Sequence, residues 1–411
     1  MAKKEKNKDK GPSYSGAEPD SAKLDDFSQE LIKLLNKEHG SNIAFNLASD
    51  DAPTDVKRWI STGSTELDYI VSNRRDGGFP EGRIVEIQGP PSCGKSHIGF
   101  EVAKSTQRMG GIVVYIDTEN ATSPFNLAQL GIDVAKRFVF VQTACTEEIL
   151  SVIESTITKA RAMTKDVPVT VIWDSVSQSS PKAELDGDYD QNTIGLQARV
   201  LSKGMRKIAN VIGGQKVLLL LMSQQRTKIG VMYGDPTTTS GGMAVPYAAS
   251  TRIKIGTGAH VKDKEDNVIG IEVTAKTIKN KVGRPFREAT FQIHFGVGVV
   301  EDETLFDSLR KHVEEHGPAT VNGCSVSISG TGAWKEWKVV DLSTGEVVAE
   351  KKFYKADFGQ ILRDPDNKEY LSGLCDAAFI MGKEMDSHSS FKGVDMSSIE
   401  EVQALQEEET D

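Results

Sequence analysis

The chain has 411 residues, 38% of them apolar, which is long enough for two or three domains with their own cores. It contains no run of about 18 apolar residues, and its Lys-rich start lacks the apolar stretch of a secretory signal, so we expect neither a membrane protein nor a secreted one. Four scattered cysteines without disulfide or metal spacing agree with a reducing compartment, and we expect the protein in the cytoplasm.

The net charge of −10 argues at first against a polyanionic partner, but the charge is unevenly distributed. Residues 384–411 hold nine acidic residues and one Lys, a net charge of −8, and we expect this acidic tail to be disordered. Residues 190–260 instead hold nine Lys or Arg and two Asp, a net charge of +7. This basic segment could contact phosphates.

The start of the chain predicts a disordered stretch followed by an arm. Residues 1–22 are polar and Lys-rich, and we expect them to be disordered. In residues 23–55, apolar side chains recur at helical spacing from 24 to 35, and a short apolar strand follows at 43–45. One helix and one strand cannot bury their own apolar faces, so we predict that this arm docks on the core or on a neighbouring subunit.

The middle of the chain predicts an α/β fold with a mostly parallel central sheet. Residues 56–301 alternate β-rich and helical runs, and ligands in such sheets bind outside the carboxyl ends of the strands. Residues 302–383 mix both kinds of run and predict a small α+β domain. The predicted core strands are 83–88, 112–117, 138–142, 169–174, 216–223, 251–255, 269–278 and 290–295.

The most specific motif fits the phosphate-binding P-loop pattern G-x-x-x-x-G-K-[ST]. It lies between a predicted strand and a predicted helix, so backbone N–H groups at the helix start would face an anion, which a plain glycine-rich turn would not provide. Lys95 would reach the β- and γ-phosphates of ATP, Ser96 would hold Mg²⁺, and the helix N-terminus would lower the pKa of the Cys93 thiol. The motif consists of Gly89, Pro90, Pro91, Ser92, Cys93, Gly94, Lys95 and Ser96.

Acidic residues end two of the predicted strands. Asp174 ends an apolar strand, as in the Walker B arrangement that orients the Mg²⁺ shell, although a buried strand ending in Asp is common by itself. Glu119 follows the strand at 112–117 and is the candidate general base for the attacking water. Asp117 is the rival, and a solvated loop Glu is the alternative reading of Glu119.

The segment from Gln224 to Gly242 is too long and too rich in glycine for a routine connection. Its basic residues, one aromatic residue and apolar tips suit a single strand of nucleic acid, whose phosphates need cations and whose bases need flat or apolar partners. The alternative is a mobile lid over the nucleotide.

Short matches in a fixed order run from residue 56 to 300, at 60–64, 82–87, 89–96, 174–176, 181–184, 205–207, 228–232 and 279–281. By these matches the chain closely resembles the RecA family of bacterial and phage-encoded recombinases. The resemblance implies a DNA-dependent ATPase that uses ATP and Mg²⁺ and forms a helical filament on single-stranded DNA. It also implies pairing with homologous double-stranded DNA in recombination and DNA repair, with single-strand-binding and mediator proteins as partners.

The resemblance further implies roles for single residues. Glu119 falls at the catalytic glutamate, and Gln224 at the glutamine that senses the γ-phosphate and reports to the DNA loop. Lys279 and Lys281 match lysines that reach the neighbouring subunit's ATP, and the arm matches the segment that docks there. Ile194 and Ile229 match residues that wedge between base triplets. The DNA-contacting positions, in and near loops at 184–196 and 225–242, are Ile194, Arg199, Arg206, Arg226, Lys228, Ile229, Gly241 and Gly242.

Some positions depart from the family pattern. Asn126 replaces a tyrosine that stacks on adenine and Ser123 replaces an aspartate, which leaves base discrimination open, and Phe295 is the candidate to take over part of the stacking. Met243 and Pro246 replace polar and basic residues, which would weaken a secondary DNA contact. After residue 302 only 332–334 match, although the domain resembles the one that gathers duplex DNA in the family.

Two other functional classes remain open. A hexameric helicase or motor shares this core fold but needs an arginine finger and normally forms a closed ring. A regulatory ATPase acting on protein would use no nucleic acid. Lys279, Lys281 and the arm favour a filament over a ring, and the ATPase rate with and without single-stranded DNA separates the protein-directed class.

Overall fold

The computed structural model describes residues 21–40, 43–47, 54–163, 166–188, 193, 195–227, 237–239 and 241–381. The chain divides into two compact units, residues 1–55 and residues 56–411. The described helices are α1 Ser21–His39, α2 Thr65–Ser72, α3 Lys95–Arg108, α4 Pro124–Gln129, α5 Thr146–Met163, α6 Lys182–Leu185, α7 Leu196–Gln215, α8 Ala244–Ala248, α9 Asp302–His316, α10 Gly359–Leu362 and α11 Lys368–Phe379. Among these helices we find none with the length and apolar character that a membrane crossing requires.

The strands are numbered in the same way. They are β1 Trp59–Ile60, β2 Phe79–Pro80, β3 Ile84–Gly89, β4 Ile112–Asp117, β5 Phe138–Gln142, β6 Val169–Asp174, β7 Val217–Thr227, β8 Thr237–Thr239, β9 Thr251–Lys262, β10 Val268–Asn280, β11 Glu288–His294, β12 Gly298–Val300, β13 Ala319–Val321, β14 Cys324–Ser329, β15 Trp334–Asp341 and β16 Val347–Tyr354.

The first unit consists of α1 and an extended segment at residues 43–47. The helix begins at Ser21, two residues before the predicted start of the arm. The Asn36 side chain accepts the N–H groups of Ile43 and Ala44, both at 2.8 Å, and fixes the segment beside the helix. The predicted strand at 43–45 is not formed among the described residues of the single chain, because a strand needs a partner. Apolar side chains stay exposed on this unit at Phe27, Leu31, Leu34, Ile43 and Leu47.

A large mixed sheet organises the second unit and confirms the predicted α/β class. Its strand order is β12-β11-β10-β9-β3-β7-β6-β4-β5, with β8 paired to β7. The strands from β9 to β5 run parallel in that order, whereas β10, β11, β12 and β8 are antiparallel to their neighbours. Strand β7 extends to Thr227, beyond the predicted end at 223, because β8 supplies it with a pairing partner.

Helices cover both faces of the parallel region, as buried parallel sheets require. Successive residues of β7 alternate between the faces. Leu220 packs into a core with Ile98 of α3, and Leu221 packs into a core with Ile153 of α5 and Met205 of α7. Both cores therefore hold the carboxyl ends of β3, β4, β6 and β7 at one edge, where the candidate site lies.

The C-terminal part forms a separate antiparallel sheet in the order β13-β14-β15-β16. Helices α9 and α11 pack on one face of it, in a core that includes Phe306, Trp337 and Leu374. Tyr69 of α2 belongs to the same core, and its hydroxyl donates to Asp376 at 2.6 Å. These contacts join the small sheet to the rest of residues 56–411.

Candidate active site

The P-loop connects β3 to α3, and its glycines sit where no other residue fits. Gly94 has a φ of 92°, in the left-handed region, and a Cβ there would lie 2.4 Å from Ile293 Cδ1. A Cβ on Gly89 would lie 2.7 Å from the carbonyl oxygen of Ile255. The loop therefore keeps its backbone close to the sheet and directs the start of α3 outward, as a phosphate cradle requires.

Lys95 lies at the centre of this loop and is 8% exposed. Its Nζ donates to the carbonyl oxygens of Pro90 at 2.6 Å and Gly89 at 3.2 Å. It forms no ion pair with a carboxylate in the part of the chain that the structure describes. A buried ammonium with only neutral partners is under-compensated, so a polyphosphate fits here as its counter-charge.

The pKa of the Cys93 thiol differs from the lowered value that its position near a helix start predicts. Its Sγ donates to the Pro90 carbonyl at 2.9 Å, and its side chain is buried. Burial raises the pKa of the Cys93 thiol and outweighs the Lys95 charge, which lowers it. The predicted lowering of this pKa is wrong, because the loop folds the thiol inward.

Ser96 and Asp174 meet directly at the carboxyl edge of the sheet. The Ser96 hydroxyl donates to Asp174 Oδ2 at 2.6 Å, and Tyr115 donates to the same oxygen at 2.8 Å. Burial raises the pKa of Asp174, and the two hydroxyls oppose that shift. A carboxylate beside a hydroxyl is a hard oxygen pair that fits Mg²⁺, an ion that keeps several waters and phosphate oxygens. In the described ranges, no three His, Cys, Asp or Glu side chains cluster to hold a metal alone.

Glu119 and Gln224 lie beside each other although they are far apart in the chain. Gln224 Nε2 donates to Glu119 Oε1 at 2.8 Å, and the Ser175 hydroxyl donates to the same oxygen at 2.8 Å. Glu119 is exposed at the mouth of the site. Its carboxylate is thus held in place yet open to a water molecule.

Asp117, the rival candidate for the general base, is buried, and its carboxylate already accepts hydrogen bonds. Its carboxylate accepts three backbone N–H groups, from Glu119 at 2.8 Å, Thr122 at 3.0 Å and Ala121 at 3.1 Å. It therefore shapes the turn that presents Glu119, a role suited to a short side chain that bonds its own backbone.

The sequence reasoning did not single out Tyr115 or Ser175. Each hydroxyl holds one of the two carboxylates, Tyr115 at Asp174 and Ser175 at Glu119. Their positions near strand ends were the only available signal.

Lys279 and Lys281 contact none of the P-loop, Asp174, Glu119 or Gln224 side chains within the described part of this single chain. Lys279 Nζ donates to the carbonyl oxygens of Pro246 at 2.7 Å and Tyr247 at 3.2 Å, at the end of α8. Lys281 is exposed just beyond the end of β10. Burial lowers the pKa of Lys279, and the charges of Lys281 and Arg252 lower it further, so these cations lie close together.

A basic stripe runs along α7. Arg199 and Arg206, two of the predicted DNA contacts, are exposed on it. Lys203 and Lys207 are exposed on the same side, four and eight residues after Arg199. Lys203 was missed from the sequence, although its helical spacing from Arg199 was a usable signal.

The other predicted DNA contacts flank or fall in parts of the chain that lie outside the described residues. Gly241 has a φ of 83°, and a Cβ there would meet Leu201 of α7 at 2.3 Å, so this end of the loop lies against the basic helix. Gly242 follows in the same turn, with a φ of 68°. Arg226 is described only by its backbone in β7, and Ile194, Lys228 and Ile229 lie outside the described residues.

The predicted stacking residue Phe295 follows β11 and is 54% exposed. It lies two residues after Ile293, whose side chain is next to Gly94 of the P-loop. Phe125, not picked from the sequence, is 75% exposed beside Asn126. Two exposed rings are therefore available at this edge for a flat ligand.

Comparison with known proteins identifies the family of this chain. Residues 27–300 match the family model described as the RecA N-terminal domain. The chain is 38% identical over 294 residues to "Protein RecA" of Chlorobaculum parvum, and the aligned region covers 71% of this chain and 81% of that protein. It is 38% identical over 277 residues to "Protein RecA" of Wolinella succinogenes, covering 67% of this chain and 75% of that protein. The RecA of Chlorobium limicola is 36% identical over 299 residues, with coverage of 73% and 81%.

Proposed function

Since the chain belongs to the RecA family, we propose that it is a DNA-dependent ATPase that forms helical filaments on single-stranded DNA. In this proposal it pairs that strand with homologous double-stranded DNA, in recombination and DNA repair. The observation that carries the proposal is the hydrogen bond from Gln224 to Glu119, because Gln224 lies on β7, the strand that leads into the predicted DNA-binding loop at 225–242.

ATP with Mg²⁺ would supply the phosphoryl group whose transfer to water provides the free energy for turnover. Lys95 would bind the β- and γ-phosphates, and Ser96 and Asp174 would hold Mg²⁺. Glu119 would orient the attacking water and accept its proton at Oε1 or Oε2. Gln224 and Ser175 would position that carboxylate, since both donate to it.

Gln224 links hydrolysis to DNA in this scheme. Its backbone N–H donates to Ser177 at 2.8 Å and fixes the strand, while its side chain contacts Glu119. A shift of this amide would change how firmly the Glu119 carboxylate is held. DNA bound to the loop would thereby change the ATPase rate, which a protein-directed ATPase does not need.

A filament would use surfaces that a single chain leaves exposed. The arm has exposed apolar side chains on α1 and on residues 43–47. Strand β5 is the outermost strand of the large sheet, and Val139 and Phe140 are half-exposed on it. An adjoining groove of about 420 Å³ is lined by residues including Val141 and Val152. The arm of a second copy would supply the strand that β5 lacks.

The same arrangement would bring Lys281 to the ATP of the neighbouring subunit, with Lys279 beside it.

The four described cysteines are free and buried, which is consistent with a proposed cytoplasmic location. Single-strand-binding and mediator proteins are proposed as partners on the family resemblance.

The deciding experiment measures phosphate release by the full chain with ATP and Mg²⁺, with and without single-stranded DNA, beside electron microscopy of the same samples. We expect DNA to raise the rate and helical filaments to form on it. An unchanged rate would favour the ATPase acting on protein, and closed rings would favour the hexameric motor. Either result would overturn the proposal.

A further inference from the structure

The C-terminal sheet has one open face. The helices α9 and α11 pack against side chains such as Val326 and Trp337 on the inner face. The opposite face is built from alternate residues of β14, β15 and β16, which point away from that core. Among the described residues this four-stranded antiparallel layer is thus backed by helices on one side only, an arrangement that some nucleic-acid-binding domains use as a platform.

An aromatic pair stands on the open face. Trp334 and Tyr354 are opposite each other in the β15–β16 register. Their ring centroids are 4.3 Å apart with an interplanar angle of 29°, and the residues are 56% and 50% exposed. Two large rings left half-exposed at one place mark a binding surface more often than scattered apolar residues do. Stacking on each other fixes both rings before any ligand arrives.

Polar groups surround this pair. A concavity of about 480 Å³ is lined by Ser329, Gly330, Trp334, Lys335, Glu336 and Lys352. Lys335 points to the inner face, where its Nζ lies 5.8 Å from the Phe306 ring centroid. Lys352 forms no hydrogen bond or ion pair with any other described residue. The open face thus offers a hydroxyl, a carboxylate and an ammonium beside two rings.

We propose that this face binds unpaired bases of single-stranded DNA, which stack on Trp334 and Tyr354. A base has two flat faces, amino groups that suit Glu336 and Ser329, and a phosphate within reach of a cation such as Lys352. The inference rests on the proposed function, and it adds a second contact for single strands outside the basic loops and α7.

The balanced charge of the open face and its exposed rings together favour unpaired bases over a duplex as the occupant. In the strand register Lys352 is opposite Glu336, and Lys338 is opposite Glu350, so cations and acids balance. Duplex binding depends mainly on cations that neutralise phosphates, and the bases of a duplex are stacked inside it. The exposed rings would be the main contact on this face, and they suit bases that are already unpaired.

The test is photo-cross-linking of the full chain to an oligonucleotide that contains 5-iodouracil, followed by mapping of the linked peptides. We expect a link to Trp334 or Tyr354 that excess unmodified single strand removes and the same length of duplex does not. Absence of such a link, or equal competition by duplex, overturns the inference. Failure to bind single strands at all overturns the proposed function as well, so the two failures are distinguishable.

Variants give the second readout. Trp334→Ala and Tyr354→Ala should each weaken capture of short single strands by about tenfold, within the range of base–aromatic stacking. Duplex affinity and the maximal DNA-stimulated ATPase rate should stay unchanged. Trp334→Phe should restore most of the affinity, and Leu342→Ala, an exposed apolar change in the β15–β16 turn, should have no effect. The thermal midpoint of Trp334→Ala shows whether the variant is folded. If the folded variant binds short single strands as tightly as the wild type, the inference is overturned and a protein partner is left for this face.

Discussion

Two regions of the molecule hold charge in opposite ways. One is the proposed nucleotide site at the carboxyl edge of the large sheet, here called the nucleotide edge, and the other is the basic stripe of α7. At the nucleotide edge, Lys95 is buried and Asp174 is only partly exposed, and each is fixed by short hydrogen bonds. On α7, Arg199 and Lys203 stand in solvent, where nothing in the described chain fixes the guanidinium of Arg199 or the ammonium of Lys203. Removing one charge from the first region leaves its partners unpaired, whereas removing one from the second leaves water in its place.

This difference matches the two roles proposed for these regions, which are ATP hydrolysis at the nucleotide edge and DNA binding on α7. A site that must stabilise a developing charge needs groups positioned in advance, and burial makes each of them count for more. A surface that follows a flexible polyanion needs several interchangeable cations, and salt weakens it. We therefore expect single substitutions to have large effects at the nucleotide edge and small ones on α7.

The largest effect is expected for Lys95→Ala. The variant should lose at least about a hundredfold in phosphate release, because the phosphates would lose their buried cation. Arg108→Ala, an exposed change near the end of the same helix, is the matched control and should hydrolyse ATP normally. A Lys95→Ala protein with wild-type turnover would show that the buried edge tolerates change as α7 does.

Glu119→Gln should slow hydrolysis by about a hundredfold while nucleotide and DNA binding persist. The amide keeps an oxygen for Ser175 and Gln224 but is too weak a base to accept a proton. Asp117→Asn should act differently and lower the thermal midpoint, because the three backbone N–H groups would lose charged acceptors. If Glu119→Gln turns over normally, Glu119 is not the base.

Lys281→Ala tests whether the nucleotide edge is completed by a second subunit. The variant should fold normally but hydrolyse ATP slowly on single-stranded DNA. Mixing it with Lys95→Ala protein should restore part of the DNA-stimulated rate, since a Lys95→Ala subunit still offers its own Lys281. Activity no greater than the sum of the two variants would remove support for a shared site.

The smallest effect is expected for Lys203→Gln on the α7 stripe. Losing one phosphate contact should reduce the slope of log affinity for single-stranded DNA against log salt by about 0.7, with a modest loss of affinity. Lys311→Gln on α9, another exposed helical lysine, should leave the slope unchanged. An unchanged slope for Lys203→Gln would remove this residue from the DNA-contacting surface.

Local pattern was enough for much of the architecture. The strands at 112–117, 138–142 and 169–174 have the predicted bounds, because each is a continuous apolar run that ends in a polar residue. The P-loop was readable for the same reason, since its glycines, lysine and serine are contiguous. Their spacing alone predicts the backbone and the cation that a phosphate needs.

Contacts between distant parts of the chain were decided only by the tertiary structure. Glu119 and Gln224 are 105 residues apart, and no periodicity in the sequence predicts their hydrogen bond. Parallel strands β4 and β7 bring both to the same edge, and the turn held by Asp117 decides which carboxylate faces water. The inward Cys93 thiol and the Trp334–Tyr354 pair are of this kind as well. Burial and cross-strand pairing depend on what packs alongside a residue, and the sequence around that residue does not contain this information.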